Sequence, residues 1–274
     1  MNTILVAIDF SNSSSEVLKK AIFISNMMKS DLKVVHVVED NIFNFHKDSS
    51  RIKFNCLKYL KEEFPTIKEK DFYLKVGVVE DEIFDLSKEL KSLLVITGAS
   101  GENFSLENFF MGSTTKKLIR TLEIPTLIIK NSIQKEYKKI LIPTDFSEDS
   151  KYVIENTLKF FPNSLIQLLH MYNIPFKNRL NMYGIDNETS QKYYVNMTKK
   201  VFNDGDKFMS SVENCKDKLS LKVENDTLVD RYINDENENS NEFDLISLHT
   251  TGNISFFTFD ILDKSKYDVL VFKK

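Results

Sequence analysis

An internal repeat constrains the fold of this chain more than any other feature of its sequence. An apolar segment that ends in Asp-Phe-Ser occupies residues 4–11 and recurs 136 residues later at 140–147. Each copy is followed by a second apolar run with a histidine inside it, at 34–38 and at 168–172. Because the order and spacing of these segments agree, the chain is predicted to be a tandem duplication. Its 274 residues are enough for two domains that each bury a core.

Each repeat alternates short apolar runs with helical periodicity. In the first repeat, Leu18, Ala21 and Ser25 follow helical spacing behind the serine-rich segment 13–15. Short, nearly continuous apolar runs are typical of strands buried on both faces of a parallel sheet. The pattern therefore predicts an α/β fold with two tandem open, doubly wound, parallel, five-stranded sheets of Rossmann-like type. The predicted strands lie near 3–9, 33–38, 72–77, 93–97 and 126–130, and near 139–144, 165–171, 219–224, 244–249 and 268–273.

The same comparison predicts where the domains begin and end. The first domain is predicted to span 1–131 and the second 138–274, with the polar segment 131–137 as the linker. The segment 174–200 departs from the symmetry of the repeats. It is predicted to be an irregular stretch followed by a helical one. It is interpreted either as an ordinary long loop or as a lid or partner surface, and the sequence leaves both open.

Composition argues against several classes of partner. The net charge is −3 and the lysines are scattered, so neither nucleic acid nor a membrane surface is an expected partner. No apolar run reaches the length of a membrane span, and the first residues enter an apolar strand directly, so a cytoplasmic location is expected. Cys56 and Cys215 have no set of metal-ligating neighbours in sequence and are interpreted as reduced thiols, with no metal site expected.

Residues at the carboxyl ends of the predicted strands carry the candidate site, because ligands of open parallel sheets bind at that edge. Glycines let a backbone approach phosphate oxygens, and hydroxylated residues at a helix start present N–H and O–H donors to the same anion. The pattern therefore predicts that two glycine turns together hold a triphosphate. The residues are Asp9 after strand one, Val37 near the end of strand two, Gly98 and Gly101 after strand four, and Gly112, Ser113 and Thr114 at the next helix start.

In this order and at this spacing, the motifs resemble the universal stress proteins, small α/β domains that often occur as tandem pairs. The resemblance covers the whole chain. It rests on the strand-Asp-x-Ser opening, the His-Val at 36–37, the Gly98-x-x-Gly101 to Gly112-Ser113 motif and the closing segment 124–129. It implies an adenine-nucleotide α-hydrolase-like fold whose two domains pack as an intramolecular pseudo-dimer. A further homodimer of two chains is left open.

The resemblance also implies a ligand, namely ATP, either alone or with Mg²⁺, held by the first domain. Asp9 would contact the nucleoside and Val37 would hold the adenine through its backbone. The chain has ten residues between Gly101 and Gly112, one more than the ATP-binding branch of the family, and three of them are phenylalanines. The implied cofactor-binding residues are Ala7, Ile8, Asp9, Val37, Gly98, Gly101, Gly112, Ser113 and Thr114.

The second repeat lacks most of this motif. His249 stands where Gly98 stands in the first repeat, Gly252 matches Gly101, and no Gly-Ser pair precedes the final strand. The second domain is therefore predicted not to bind ATP in the family manner. Its Asp145 and Ser147 are interpreted as strand-end and helix-capping residues.

The predicted function is that of an ATP-binding stress-response protein that is regulatory rather than enzymatic and acts on an unknown protein partner. No catalytic residue is assigned, since the chain has no GxxxxGK[ST], GxSxG or HExxH motif. Two alternatives are retained. One is a stress-linked interaction scaffold that binds no nucleotide, and the other is a weak ATPase.

Overall fold

The structure is a computed structural model. It describes residues 2–39, 48–99, 111–132, 134–175, 179–225, 243–250, 261–263 and 265–273. The chain divides into two compact units, one made of residues 1–136 together with 249–274, and the other of residues 137–248. Each unit is described by itself below.

The first unit alternates strands and helices along the chain, as the apolar periodicity predicts. Its strands are β1 (Thr3–Ala7), β2 (Asp31–Val38), β3 (Phe72–Val76), β4 (Ser92–Gly98) and β5 (Thr126–Ile129), joined at the end of the chain by β10 (Asp268–Lys273). Its helices are α1 (Asn12–Met27), α2 (Ser49–Glu63), α3 (Val79–Glu89) and α4 (Ser113–Thr121).

The strand order in this unit is β3-β2-β1-β4-β5-β10. The first five strands pair in parallel, whereas β10 pairs with β5 in antiparallel orientation, with Leu270 opposite Leu127. The order reverses between β1 and β4, which makes the sheet doubly wound. One face of it is covered by a buried cluster of aliphatic side chains from strands β1, β2 and β4 and helices α3 and α4. The cluster comprises Leu5, Val35, Ile83, Leu86, Val95, Leu118 and Leu122.

The second unit repeats the order of strands. It contains β6 (Lys139–Pro143), β7 (Leu165–Met171), β8 (Leu219–Glu224) and β9 (Leu245–Thr250, of which the first four residues belong to this unit), with helices α5 (Glu148–Phe160) and α6 (Asn187–Ser211). Its strand order is β9-β6-β7-β8, all parallel, which matches β4-β1-β2-β3 of the first unit. The predicted α/β fold with repeated, doubly wound topology is therefore confirmed.

Residues 187–200, in the asymmetric segment after β7, form the first half of α6, which is 25 residues long and whose N-cap Asp186 accepts a hydrogen bond from the Thr189 N–H. This is the helical stretch that the sequence predicts there. Another segment differs from its predicted character. Tyr137, predicted to end a polar linker, is instead buried against Phe161, and its carbonyl accepts a hydrogen bond from Ser164. An edge-to-face contact of this kind fixes the point at which the chain enters the second unit.

The C-terminal strand also departs from the predicted division of the chain. The second domain was predicted to span 138–274, yet β10 lies in the first compact unit because its pairing partner there is β5. Side chains reinforce this pairing. The buried Asp268 carboxylate forms an ion pair with Lys20 of α1 and accepts hydrogen bonds from the backbone N–H groups of Lys130 and Asn131 at 2.8 and 3.2 Å.

Lys130 anchors the neighbouring segment, since its Nζ donates to the carbonyls of Leu262 and Ser265. Burial lowers the pKa of Lys130 from 10.5 to about 8, against the opposing effects of Asp263 and Asp268. Between these two values the unfolded chain binds more protons than the folded one, so this residue's contribution to stability rises as pH rises.

We therefore expect the free energy of unfolding of wild type to rise relative to that of Lys130→Met as the pH is raised from 7 to 10. Urea denaturation at a series of pH values measures this difference for both proteins. When the two free energies of unfolding are subtracted at each pH, the contributions of the titratable groups that both proteins share cancel. A difference that stays constant over this range would show that Lys130 keeps an ordinary pKa in the folded protein.

Candidate functional site

The turn after β1 holds Asp9 in a fixed orientation. Its Oδ1 atom accepts hydrogen bonds from the N–H and Oγ of Ser11, at 3.0 and 2.6 Å, and from Ser14 Oγ. Ser14 Oγ in turn accepts from the Asp9 N–H at 3.1 Å. Between them, Phe10 adopts φ = 60°, a left-handed conformation that is uncommon for a residue with a bulky side chain. The turn thus points one carboxylate oxygen into the protein and leaves Oδ2 without a hydrogen-bond donor among the described residues.

The charge state of Asp9 follows from these contacts. Partial burial raises the pKa of Asp9, but the hydrogen bonds from Ser11 and Ser14 outweigh it and hold the pKa below its ordinary value. Asp9 is therefore ionised at neutral pH. Its free oxygen can accept a hydrogen bond from a ribose hydroxyl or an exocyclic amine.

The second unit contains the same turn. Asp145 Oδ1 accepts from the Ser147 N–H at 3.0 Å and from Ser150 Oγ at 2.9 Å, and Phe146 adopts φ = 64°. Hydrogen bonding to Asp9 and Asp145 is therefore a property of the repeat and shows nothing by itself about ligands. It makes Asp145 a matched control for Asp9.

A histidine on the neighbouring strand braces each turn. His36 Nδ1 donates to the Ile8 carbonyl at 2.9 Å, and His170 Nδ1 donates to the Thr144 carbonyl at 2.8 Å. Carbonyls only accept, so Nδ1 carries the proton in both residues. Both rings also contact the phenylalanine of the turn, Phe10 or Phe146. This structural role is the one that their position inside apolar strands predicts.

The Val37 carbonyl, at the carboxyl end of β2, has no hydrogen-bond donor among the described residues. The Val35 carbonyl accepts from the Ile8 N–H at 3.0 Å, so the peptide groups of Val35 and, by strand alternation, of Val37 face β1. The pairing register of β1 with β2 ends at Ala7 opposite Val35. The Val37 carbonyl therefore lies beyond the paired part of β1 and can receive a donor from a ligand.

The start of α4 faces the end of β4. Gly112 is the N-cap of this helix, with φ = −63° and ψ = 157°, a conformation that any residue can adopt. Its N–H donates to the Ala99 carbonyl at 2.8 Å, and Thr115 Oγ1 donates to the Gly98 carbonyl at 3.0 Å. The Gly112 N–H is thus engaged within the protein. Ser113 and Thr114 are exposed, and no side chain among the described residues caps the helix.

The two lysines on the first turns of α4 are both in ion pairs. Lys116 Nζ lies 3.1 Å from Asp263 Oδ2, and Lys117 Nζ lies 3.0 Å from Glu80 Oε1. Burial raises the pKa of Glu80, but its hydrogen bond from Lys117 outweighs that effect and holds the pKa below its ordinary value. An anion at this helix start would therefore meet cations whose charge is already balanced.

A cavity of about 650 Å³ connects these features at the carboxyl ends of β1, β2 and β4. This is the point at which strand order reverses, where open α/β sheets bind ligands. Among the predicted residues, Ala7, Ile8, Asp9, Val37, Gly98 and Thr114 line the cavity. Gly112 and Ser113 are not in its lining, and Gly101 with most of its loop lies outside the described residues.

Sequence analysis did not assign several lining residues to the site. Val79 and Ile83 have helical apolar spacing that predicts core positions, and both also reach the cavity. Thr97 precedes Gly98 and Thr115 follows Thr114, but neither residue had a motif of its own. Only the position of Thr97 at the end of a strand could have indicated it.

A second cavity, of about 310 Å³, lies in the other unit, and its lining includes Lys139, Leu165 and Leu219. These residues are the first of β6, β7 and β8, so this cavity is at the amino ends of the strands. Ligands of this kind of sheet bind at the opposite edge. The larger cavity of the first unit is therefore the candidate site.

The larger cavity fits a nucleotide in size and chemistry. Its volume lies within the roughly 300–1,000 Å³ typical of sites for small molecules. It offers apolar walls from Val79 and Ile83, an acceptor at Asp9, and an exposed hydroxyl at Thr114 on the first turn of α4. Within the described residues, no group of three or more His, Cys, Asp or Glu could hold a metal ion, and no helix is long and apolar enough to cross a membrane.

The fold and the position of the cavity define a Rossmann-like α/β protein with a candidate ligand site at the carboxyl edge of its first sheet. Residues 1–130 match the model of the universal stress protein family, which confirms the predicted resemblance over this part of the chain. No curated protein matches the chain.

Solved structures show that the fold extends over the whole chain. A putative universal stress protein from Pseudomonas aeruginosa UCBPP-PA14 is similar with a TM-score of 0.65 and 15% identity, covering 100% of this chain and 93% of that one. A universal stress protein from Archaeoglobus fulgidus DSM 4304 is similar with a TM-score of 0.63 and 15% identity, covering 99% of this chain and 98% of that one. At this identity the likeness concerns the fold alone.

Proposed function

We propose that the first unit binds ATP reversibly and that the second unit does not bind it in this manner. The observation that carries the proposal is the cavity of about 650 Å³ at the carboxyl ends of β1, β2 and β4. It combines apolar walls with polar groups at the end of β1 (Asp9) and at the start of α4 (Thr114). The proposed location of the protein is the cytoplasm, where free thiols such as those of Cys56 and Cys215 persist.

The polar groups suggest how the nucleotide lies. The free carbonyl of Val37 would receive the adenine amino group, and Asp9 Oδ2 would accept from the nucleoside. The phosphates would lie at the start of α4, where the positive end of the helix dipole and the hydroxyls of Ser113 and Thr114 favour an anion. Mg²⁺ would arrive with the triphosphate, because ATP and not the protein supplies most of its ligands.

The distribution of titratable groups favours binding over turnover. Within the described lining, these groups are Asp9, His36 and Glu39, and all three follow β1 or lie on or just after β2. They are thus on the proposed nucleoside side, whereas a base that activates water for phosphate hydrolysis would be needed beside α4. A regulatory role, in which an unknown protein partner senses the bound nucleotide, is therefore proposed.

Calorimetric titration with MgATP tests the proposal, since the chain has no Trp to report binding by fluorescence. We expect one site per chain and at least a tenfold loss of affinity, or about 1.4 kcal/mol, in Asp9→Ala. Asp145→Ala is the matched control, because it removes the equivalent turn contacts from the second unit. Equal affinity in the two variants, or no binding by the folded wild type, would contradict the proposal.

Gly112→Val tests the phosphate end separately. The conformation of Gly112 is open to any residue, so the variant is expected to fold, while the added side chain would obstruct the approach of a phosphate. We expect ATP affinity to fall at least tenfold and adenosine affinity to change less than twofold. If wild type releases phosphate from ATP faster than Gly112→Val does, the weak ATPase is favoured instead.

One observation favours the interaction scaffold as the second candidate. The Gly112 N–H and the Lys116 and Lys117 ammonium groups lie at the proposed phosphate end, and all three already have partners within the protein. A protein that needs no nucleotide would keep these contacts permanently. Absence of ATP binding at several temperatures, with the chain folded, would establish this candidate over the first.

A further inference from the structure

A carboxylate from the far end of the chain lies at the start of α4. Asp263 Oδ1 accepts a hydrogen bond from the Met111 N–H at 3.2 Å, and its Oδ2 pairs with Lys116 Nζ at 3.1 Å. The side chain is only 12% exposed. Asp263 thus uses both a backbone donor next to the N-cap and a cation from the first turn of the helix.

These are the interactions that would attract a phosphate. A helix start favours negative charge, and a nearby lysine strengthens this preference. Asp263 already places one negative charge, supplied by the protein itself, beside the helix start and Lys116. A ligand with several negative charges at the same helix start would be repelled by this carboxylate, and Lys116 would be only partly available to it.

We propose that Asp263 is a specificity-determining residue that lowers the affinity of the site for triphosphates relative to uncharged nucleosides. The inference rests on the proposed function, since it concerns the phosphate end of the same site. Loss of the Asp263 charge would remove the repulsion and would weaken the competing contact of Lys116 with Asp263. Both effects would raise the affinity for ATP.

The test compares ATP with adenosine in wild type and Asp263→Asn. Asparagine has the same shape and keeps an acceptor for the Met111 N–H, so the substitution changes mainly charge. We expect ATP affinity to rise about tenfold and adenosine affinity to change less than twofold. The gain for ATP should shrink as salt is added, because screening weakens the repulsion in wild type.

Two further variants control for general effects of charge. Glu80→Gln removes the other carboxylate that pairs with a lysine of α4, but Lys117 is 59% exposed and solvated, so ATP affinity should change less than threefold. Lys116→Met removes the cation and leaves Asp263, and we expect it to weaken ATP binding while adenosine binding stays the same. Thermal denaturation of each variant confirms that it is folded.

The outcomes separate this inference from the proposed function. Equal ratios of ATP to adenosine affinity in wild type and Asp263→Asn would overturn the inference and leave the proposed function standing. A loss of ATP affinity in Asp263→Asn that appears only with Mg²⁺ would also overturn it, because Asp263 would then be a metal ligand. Absence of binding of either compound to both folded proteins would overturn both proposals.

Discussion

Asp268→Asn is expected to lower the free energy of unfolding by about 3–5 kcal/mol, the range for breaking a buried ion pair from one side. Asp268 is 0% exposed and its partner Lys20 is 1% exposed. Asparagine can still accept the hydrogen bonds from Lys130 and Asn131, but it leaves the Lys20 ammonium buried without its counter-charge. Lys20 also donates to Asn131 Oδ1 at 2.8 Å, which offsets only part of the loss.

Urea denaturation monitored by circular dichroism measures this effect. The double variant Lys20→Met with Asp268→Asn should be more stable than Asp268→Asn alone, because it removes the unpaired charge. Glu188→Gln, which breaks the exposed pair with Lys192 on α6, is the control and should cost less than about 1 kcal/mol. If Asp268→Asn stays within 1 kcal/mol of wild type, water reaches Lys20 and the pair is not buried.

Phe161→Ala is expected to destabilise the second unit by about 3–5 kcal/mol, as is usual when a buried aromatic ring is removed from a core. Phe161 is 3% exposed, and its ring packs edge-to-face on Tyr137 with centroids 5.0 Å apart. The substitution leaves a cavity beside Tyr137 and removes its ring contact. Tyr137 is the first residue of this unit, so the lost contact is the one that holds the start of the unit.

The same denaturation experiment tests Phe161→Ala. Phe202→Ala is its control within the second unit, because Phe202 lies on α6 with 50% of its surface exposed. That control should change the free energy of unfolding by less than about 0.5 kcal/mol. Equal destabilisation by the two variants would mean that Phe161 does not belong to the core.

Most of the fold could be predicted because buried parallel strands leave a strong apolar signal. The second predicted strand, 33–38, lies inside β2, and the repeat predicts its equivalent at β7. The pairing of β10 with β5 could not be predicted, since an apolar strand has the same side-chain pattern in either orientation. The ion pair of Lys20 with Asp268 joins residues at opposite ends of the chain, and no local spacing indicates it.

The candidate site shows the same division between local and distant information. Asp9 and Gly98 were predicted from their positions at strand ends, and both line the cavity. The engagement of the Gly112 N–H by Ala99 depends on how the two ends of one loop meet, which spacing alone does not specify. Asp263 was not predicted at all, because its approach to α4 depends on the path of a segment about 150 residues away in sequence.

The position of β10 bears on how a duplicated gene can evolve. The last strand encoded by the second copy completes the sheet of the first, so the two halves can no longer be inherited separately. A stop codon after residue 248 would remove β10, which pairs with β5 on the side opposite β4, and with it the Asp268 carboxylate that pairs with Lys20 and the carbonyls that Lys130 contacts in the last segment. Recombination that replaces one copy must therefore also preserve the last strand, which places the two repeats under joint selection.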